Sequence, residues 1–454
     1  MLPPFGGGEQ IHPAYSTLNY VAEIREMVAA EPSLFFSPGG LQRKAAQIVV
    51  AALMASEQRV ASPHTRGDGG AEGEGGSRQV PPQRDKRVRY NLGSSLQEAD
   101  QVKVLAMLES NEDRFAFSLE DITPFKGEAM EVNLYSSKAI FRPPHKLGQV
   151  EWDFVEKQCR QLEALGFIKR STQSTYASAT VVVRKKDAEG NYTDFRQCGD
   201  YRPLNAETNL DRYPLPSIEE IFNAMKGATI FSKLDLRSGY HQMPLRPGDR
   251  AKTAFWGANR ILWEWQVVPF GLKNAPPYFQ RRMDAVLRDL PFTTCYIDDI
   301  VVWSSTMEEH IFHLQQVFHR LRDAGLKVHP GKCVFGADSI EFLGHRISAG
   351  KLEPQADKIA AVRDLPAPTD LSGLRAALGL FSYYRKFVPH FSTIAFPLNT
   401  LMKKDRPWEW GEQQAAAFQE LKDQLCGAAV LELPDPYRPF TLTTDWSQRG
   451  MGPF

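Results

Sequence analysis

The chain has 454 residues, too many for one compact domain and enough for two to four units. Hydrophobic residues make up 42%, enough for real cores, and the formal net charge is +0. A balanced charge excludes binding of a polyanion through a global positive field, so any such binding has to come from local basic patches.

Five cysteines, Cys159, Cys198, Cys295, Cys333 and Cys426, are scattered without metal-ligand spacing or a disulfide framework. A reducing intracellular compartment is therefore expected. Residues 1–100 carry few structural signals. Their start, Met1-Leu2-Pro3-Pro4-Phe5, does not read as a signal peptide. Residues 20–30 and 41–55 are candidate helices. The most apolar run, 45–55, is about half the length needed to span a bilayer, so no membrane partner is expected. Residues 62–89 are rich in Gly, Glu and Arg, contain Pro81-Pro82, and lack an apolar period. They read as a disordered linker, whose Arg84, Lys86, Arg87 and Arg89 suit either a solvated segment or a nucleic-acid contact.

Phe141-Arg142-Pro143-Pro144-His145 is an extended, proline-punctuated segment. Residues 151–166 read as an amphipathic helix with Phe154, Cys159, Leu162 and Leu165 near one face and Gly166 as its stop. Residues 178–183 form a strand that delivers Arg184-Lys185-Lys186-Asp187 to a turn, and a second strand leads to Arg196 and Arg202. A basic hairpin tip suits triphosphate binding, and it equally suits a solvated tip. Ser217-Ile218-Glu219-Glu220 is a capping box opening a helix to about Lys226. The run from Ile230 is β-rich and ends near Asp235. Residues 253–255 and 262–268 read as a β-pair, followed by a helix over 275–290.

Next comes Thr293-Thr294-Cys295-Tyr296-Ile297-Asp298-Asp299-Ile300-Val301-Val302-Trp303. Apolar β-formers flank two adjacent carboxylates, which places the pair at a tight connection between two strands. An ordinary Asp-Asp turn would explain it. If this hairpin lies beside the strand of Asp235, however, Asp235 and Asp298 converge. Oxygen ligands suit Mg²⁺, and two such ions roughly 4 Å apart can clamp an in-line phosphoryl displacement. Residues 305–308 open a capped helix with Ile311, Leu314, Val317, Phe318 and Leu321 as its buried stripe. Its His310, His313 and His319 raise a zinc site with Cys333, which the lack of a Cys-x-x-Cys argues against. Helices are expected over 355–365, 371–388 and 413–425, and a strand over 440–445.

Leu234-Asp235-Leu236-Arg237-Ser238-Gly239-Tyr240-His241-Gln242, then Phe270-Gly271-Leu272-Lys273-Asn274-Ala275-Pro276, then Tyr296-Ile297-Asp298-Asp299 strongly resemble the reverse transcriptase of gypsy-like LTR retroelements. The resemblance runs from about Phe115 to the C-terminus. It implies an α+β fold, a right-hand polymerase of fingers, palm and thumb with an antiparallel palm sheet, followed by a truncated ribonuclease H-like start. The implied division is 1–100 (poorly structured, with the linker 62–89), 101–165 (lead-in), 166–350 (fingers and palm), 351–405 (thumb) and 406–454 (incomplete ribonuclease H-like fragment).

The resemblance also implies site residues. Asp235, Asp298 and Asp299 hold two Mg²⁺ ions, with Mn²⁺ as an alternative, and Asp299 acts more electrostatically. Lys185 and Arg196 bind the triphosphate. Tyr240 lies under the sugar and favours deoxynucleotides, Phe270 packs beside the nucleotide, and Gly271 allows close backbone approach. Arg202 meets the template, and Leu343 and Gly344 belong to a primer-gripping hairpin. Lys273 suits either nucleic acid or a bare surface. Tyr383-Tyr384-Arg385-Lys386-Phe387 combines duplex-binding and core-packing residue types. Asp445 matches the first ribonuclease H carboxylate, but Trp446 replaces the usual small residue after it. One carboxylate cannot hold two metals, so no ribonuclease H activity is expected. The implied partners are an RNA or DNA template, a DNA or RNA primer and dNTPs. A non-catalytic nucleic-acid-binding protein on the same fold is the alternative, and a phosphodiester hydrolase is a weaker one.

Overall fold

The computed structural model describes residues 90–453 except 173–174, 187–191, 404–405, 428–429, 434–443 and 448–449. The helices expected over 20–30 and 41–55 and the linker 62–89 lie outside the described residues. The described residues divide into two compact units, one running to residue 340 and one from residue 341. The architecture is α+β, with mainly antiparallel sheets.

The first unit opens with β1 (Asn91–Leu92), α1 (Glu98–Ser110), α2 (Gln149–Ala164) and β2 (Ile168–Arg170). Helix α2 buries Val155, Cys159 and Leu162, while Phe154 and Leu165 are only half-buried. The apolar face is thus rotated slightly from the expected one. The antiparallel hairpin β3 (Thr180–Lys186) and β4 (Tyr192–Gly199) follows, then α3 (Arg202–Glu207) and α4 (Ile218–Ala224). At the start of α4 the Ser217 amide donates to Glu220 Oε2 at 3.4 Å, the reciprocal half of the expected capping box.

The strand β5 (Ile230–Asp235), the short α5 (Gly239–Gln242), β6 (Phe255–Trp256), β7 (Leu262–Trp265) and α6 (Ala275–Val286) come next. Helix α6 stops short of the expected Leu290 because Leu287 leaves helical geometry and Asp289 takes a φ of +66°. The unit ends with β8 (Thr293–Tyr296), β9 (Asp299–Ser304), α7 (Met307–Ala324) and β10 (Val334–Ala337).

The central sheet has the order β1-β10-β5-β9-β8. It is antiparallel except at its edge, where β1 and β10 run parallel. All six residues of β9 are buried, which is why Ile300-Val301-Val302-Trp303 reads as a continuous apolar run rather than an alternating one. Helix α7 packs Leu314, Val317, Phe318 and Leu321 into this core, and Ile311 stays partly exposed. Its N-cap Thr306 accepts from the Glu309 amide at 3.3 Å.

The second unit contains β11 (Ser339–Phe342), which begins just before its boundary, β12 (His345–Ser348), β13 (Lys351–Pro354), α8 (Ala356–Arg363), α9 (Leu371–Tyr383), α10 (Phe391–Ile394), α11 (Phe396–Leu401), α12 (Glu412–Cys426), β14 (Leu431–Glu432), β15 (Thr444–Ser447) and β16 (Gly450–Pro453). Strands β11-β12-β13-β14 form one sheet and β15-β16 a hairpin. Helix α9 is capped by Asp370, whose Oδ1 accepts from the Gly373 amide at 2.6 Å. The expected helix to Val388 ends at Tyr383 and continues as one 3₁₀ turn, Arg385–Phe387. Pro389 follows and disfavours helical geometry at Val388. Of the expected strand over 440–445, residues 440–443 lie outside the described residues, and Asp445 sits on β15. Among the described residues no helix is long and apolar enough to cross a membrane.

Candidate active site

Strands β8 and β9 are joined by two residues, Ile297 and Asp298, with Tyr296 paired to Asp299 across the hairpin. Two-residue hairpin loops call for positive φ at the first central position, normally supplied by Gly or Asn. Here Ile297 occupies it at φ +54°. A β-branched residue in that region carries about 1–3 kcal/mol of strain and persists only where its surroundings over-determine it.

Gln280 on α6 provides that determination. Its side chain is fully buried, accepts from the Ile297 amide at 2.8 Å and donates to the Cys295 carbonyl at 2.7 Å. The Cys295 thiol in turn donates to the Ile297 carbonyl at 2.9 Å. Gln280 escapes sequence reasoning because it reads as one polar residue on a helix face.

The β5–β9 register sets Asp235 directly opposite Asp299. Asp298 precedes in the turn, where its carbonyl accepts from the Leu236 amide at 3.4 Å. The expected convergence therefore occurs, with Asp299 rather than Asp298 as the strand partner of Asp235. Burial raises the Asp298 carboxyl to about 8, and repulsion from Asp235 and Asp299 adds to it. Burial likewise raises Asp235 to about 6; Lys332 and Lys233 oppose the shift and Asp299 adds to it. Lys332 Nζ stands 3.8 Å from Asp235 Oδ2, and Lys233 Nζ 3.4 Å from Asp299 Oδ2. Two lysines thus face three carboxylates. Neither lysine stands out in the sequence, because only the fold brings Lys332 to β5.

Asp298 Oδ1 is shut off from solvent and has no hydrogen-bond partner. Gly239 allows the carboxylate to lie there, since a Cβ at Gly239 would sit 2.6 Å from that oxygen. An orphaned, desolvated oxygen in an excess of negative charge fits a cation. Among the described residues no group of three or more His, Cys, Asp or Glu side chains encloses a metal position. The donors on offer here are carboxylate oxygens, the hard ligands that divalent cations take.

Beside the carboxylates lies an aromatic wall. The Tyr240 ring is buried and meets Phe270 and Phe279 edge to face, each at 5.3 Å between centroids. Phe270 is 44% exposed, so part of its ring stays open. His241, not singled out in the sequence, meets Phe270 at 5.1 Å and stacks on Trp265 at 5.2 Å. Gly271 has φ +93°, and its carbonyl accepts from Asn205 Nδ2 at 2.8 Å.

On the hairpin, Arg196 is exposed and pairs in register with Val183, two positions before Lys185 on β3. Arg202 is exposed and clasps Asp200 through two hydrogen bonds of 2.9 and 3.0 Å. Lys273 turns inward and donates to the Asn205 and Thr208 carbonyls at 3.4 and 3.2 Å, which favours a structural role. In the second unit, Leu343 (φ +49°) and Gly344 (φ +71°) form the two-residue turn between β11 and β12.

Two of the three α7 histidines, His310 and His313, form hydrogen bonds with hydroxyl groups. His310 is fully buried between Ser232 Oγ at 2.7 Å and Ser304 Oγ at 2.9 Å, and burial pushes it down to about 3, so it is neutral. His313 Nδ1 lies 2.7 Å from Ser304 Oγ, and His319 pairs with Asp323.

Residues 183–347 match the family described as reverse transcriptase (RNA-dependent DNA polymerase), and residues 410–454 an RNase H-like domain found in reverse transcriptase. The chain is 36% identical to the retrovirus-related Pol polyprotein from transposon 297 of Drosophila melanogaster, over 71% of this chain and 30% of the relative. It is 39% identical to that from transposon gypsy of the same organism, over 66% and 30%. The Tf2-3 polyprotein of Schizosaccharomyces pombe is 33% identical over 72% and 24%. The chain thus spans less than a third of the length of these relatives. Its fold is similar to that of a foamy viral protease-reverse transcriptase solved with double-stranded DNA (TM-score 0.71, 21% identity, 83% of this chain and 66% of that one). A structure of the foamy viral protein with an RNA/DNA hybrid gives TM-score 0.67 at 21% identity, over 80% and 48%.

In the metal-free protein Asp298 by itself should cost stability as pH rises from near 4 to about 8, because its native carboxyl keeps a proton that the unfolded chain has released, while the buried histidines His241, His310, His329 and His345 act in the opposite direction in the lower part of that window. Asp298→Asn is expected to raise the melting temperature at the upper end of this window and leave it unchanged at the lower end. Thermal melts that rank the two proteins equally at both ends would overturn this account. Gln280→Leu leaves the Ile297 amide without its acceptor and should cost about 1–3 kcal/mol in urea unfolding; a change under about 0.5 kcal/mol would show that the turn holds itself.

Proposed function

We propose that this chain, whose residues 183–347 form a reverse transcriptase domain of the gypsy-like LTR-retroelement kind, acts as an RNA-directed DNA polymerase. The single observation that carries the reading is the β5–β9 register, which sets Asp235 against Asp299 next to the orphaned Asp298 oxygen. In this reading the primer 3′-hydroxyl attacks the α-phosphate of a deoxynucleotide, the bond to the β-phosphate breaks, and pyrophosphate leaves. Asp235, Asp298 and Asp299 hold two Mg²⁺ ions, with Mn²⁺ as an alternative. Held by these carboxylates, such ions would supply Lewis acidity at the hydroxyl and positive charge at the phosphate oxygens.

Lys185 and Arg196 bind the triphosphate and counter its charge. Tyr240 sits beneath the sugar, where a 2′-hydroxyl would collide with its ring. Its burial and its packing on Phe279 support this role, since a ring so held cannot swing aside. Phe270 covers the nucleotide, and Gly271 allows the backbone close to it. Arg202 lies toward the template, and Leu343 and Gly344 toward the primer. The partners are an RNA or DNA template, its primer and dNTPs, with 166–350 as fingers and palm and 351–405 as thumb. Residues 406–454 supply one carboxylate of the ribonuclease H type, Asp445, and one carboxylate cannot hold two metals.

Primer extension on an RNA template with dNTPs and Mg²⁺ tests the reading. The wild type is expected to extend and Asp298→Ala to lose at least about a thousandfold of the rate. Wild-type protein that binds primer-template and extends nothing would replace the polymerase with a non-catalytic binding protein. Tyr240→Ala should extend with dNTPs and also accept ribonucleotides; unchanged exclusion of ribonucleotides would remove Tyr240 from the sugar site.

A further inference from the structure

Lys233 stands where a charge is costly. Strand β5 is the third of five in the central sheet, and Lys233 lies across from Val334 on β10 and Val301 on β9. Its side chain is only 16% exposed. An ammonium so shielded needs a partner of opposite charge. Its own face of the sheet supplies one. Side chains two residues apart on a strand share a face, so Lys233 shares its face with Asp235, and Asp299 stands opposite Asp235. Lys233 Nζ lies 3.4 Å from Asp299 Oδ2. Its charge also reaches Asp235, where it opposes the rise that burial imposes on the carboxyl.

Lys332 is held differently. It ends the 3₁₀ turn Pro330–Lys332, is 31% exposed and stands farther off, 3.8 Å from Asp235 Oδ2. Lys233 has its backbone fixed by strands on both sides and is the more enclosed of the two. The sheet therefore aims one cation at Asp299, while Asp298 Oδ1 has no partner.

An oxygen of Asp299 cannot serve this ammonium and a divalent ion alike. Mg²⁺ takes carboxylate oxygens at about 2.0–2.1 Å. With the ammonium in place, the two cations would stand a few ångströms apart in a shielded site, where their repulsion is strong. Binding at Asp299 has to push the ammonium aside, and metal affinity falls by what that displacement costs. The four-carbon stem of lysine has the rotamers to swing away.

We infer that Lys233 is a positioning residue that competes with divalent metal for Asp299: it holds the carboxylate until an ion displaces it, and so sets the metal concentration at which the site fills. The inference rests on the polymerase reading only in taking Asp235, Asp298 and Asp299 as the metal site.

The test uses the full chain with two variants. Lys233→Met removes the charge and keeps most of the stem. Lys233→Arg keeps the charge and can hold a carboxylate through two hydrogen bonds. Lys169→Met, which breaks the 3.1 Å ion pair with Glu264 between β2 and β7, is the control, and Asp298→Asn marks the site. Titration with Mn²⁺, read by loss of the free ion's EPR signal, gives Kd without nucleotide or template. Thermal melts in EDTA and in Mg²⁺ give the stability gained from metal. Lys233→Met should lower the Mn²⁺ Kd about three- to tenfold, melt earlier than wild type in EDTA and gain more from Mg²⁺. Lys233→Arg should raise the Kd about threefold, and Lys169→Met should leave it within about twofold. A folded Met variant that binds Mn²⁺ no tighter than wild type would overturn the inference. Should the Met variant not fold, an Arg variant with a Kd at or below that of wild type overturns it. Equal tightening in Lys169→Met overturns it too, as does a wild-type Kd that Asp298→Asn leaves unchanged. Wild type that takes up Mn²⁺ and extends no primer removes the polymerase reading, while the order of the dissociation constants still decides Lys233.

Discussion

The site depends on repulsion among carboxylates held at buried strand ends. Asp235 and Asp299 face each other across β5 and β9, and Asp298 is one residue away with a shielded, unpartnered oxygen. Lys332 and Lys233 compensate only part of that charge. The cost is borne by the sheet. A slip of one residue between β5 and β9 would turn every side chain to the opposite face. Since all of β9 is buried, the apolar core fixes the register, and the register fixes the carboxylates.

Two turns share one construction. In each, a two-residue hairpin loop carries a non-glycine residue at positive φ, Ile297 in the first unit and Leu343 in the second. In each, side chains from a helix bond the loop's backbone: Gln280 from α6 in one case, Tyr383 and its neighbour Tyr384 at the end of α9 in the other. A glycine would adopt the first conformation more readily, but would leave the loop freer to leave it. Side-chain bonding makes a strained loop rigid.

The aromatic cluster beside the carboxylates combines a rigid part with an open one. Tyr240 is buried against Phe279, whereas Phe270 leans on Tyr240 and His241 and keeps nearly half of its surface open. His241 has both ring nitrogens buried without hydrogen-bond partners, and burial lowers it to about 4, so it acts as a neutral ring in an aromatic stack.

Much of this was legible in the chain itself. The caps at Ser217 and Thr306, the α7 stripe, the buried strand after Asp299 and the Asp pair at a strand connection are all encoded over a few residues, where sterics and hydrogen bonding along the chain are enough to specify them. The order of motifs around Asp235, Phe270 and Tyr296-Ile297-Asp298-Asp299 carried the family. What the sequence could not decide depended on which faces meet. Lys273 reads equally well as a nucleic-acid contact until α3 is seen to receive it. The partner of Asp235 is a matter of strand register, Lys332 reaches it only through the path of the chain into β10, and Gln280 and the two tyrosines act on backbone far away in sequence. Local pattern sets which element forms; pairing across long separations is set by the packing of whole faces, and no short window of residues contains it.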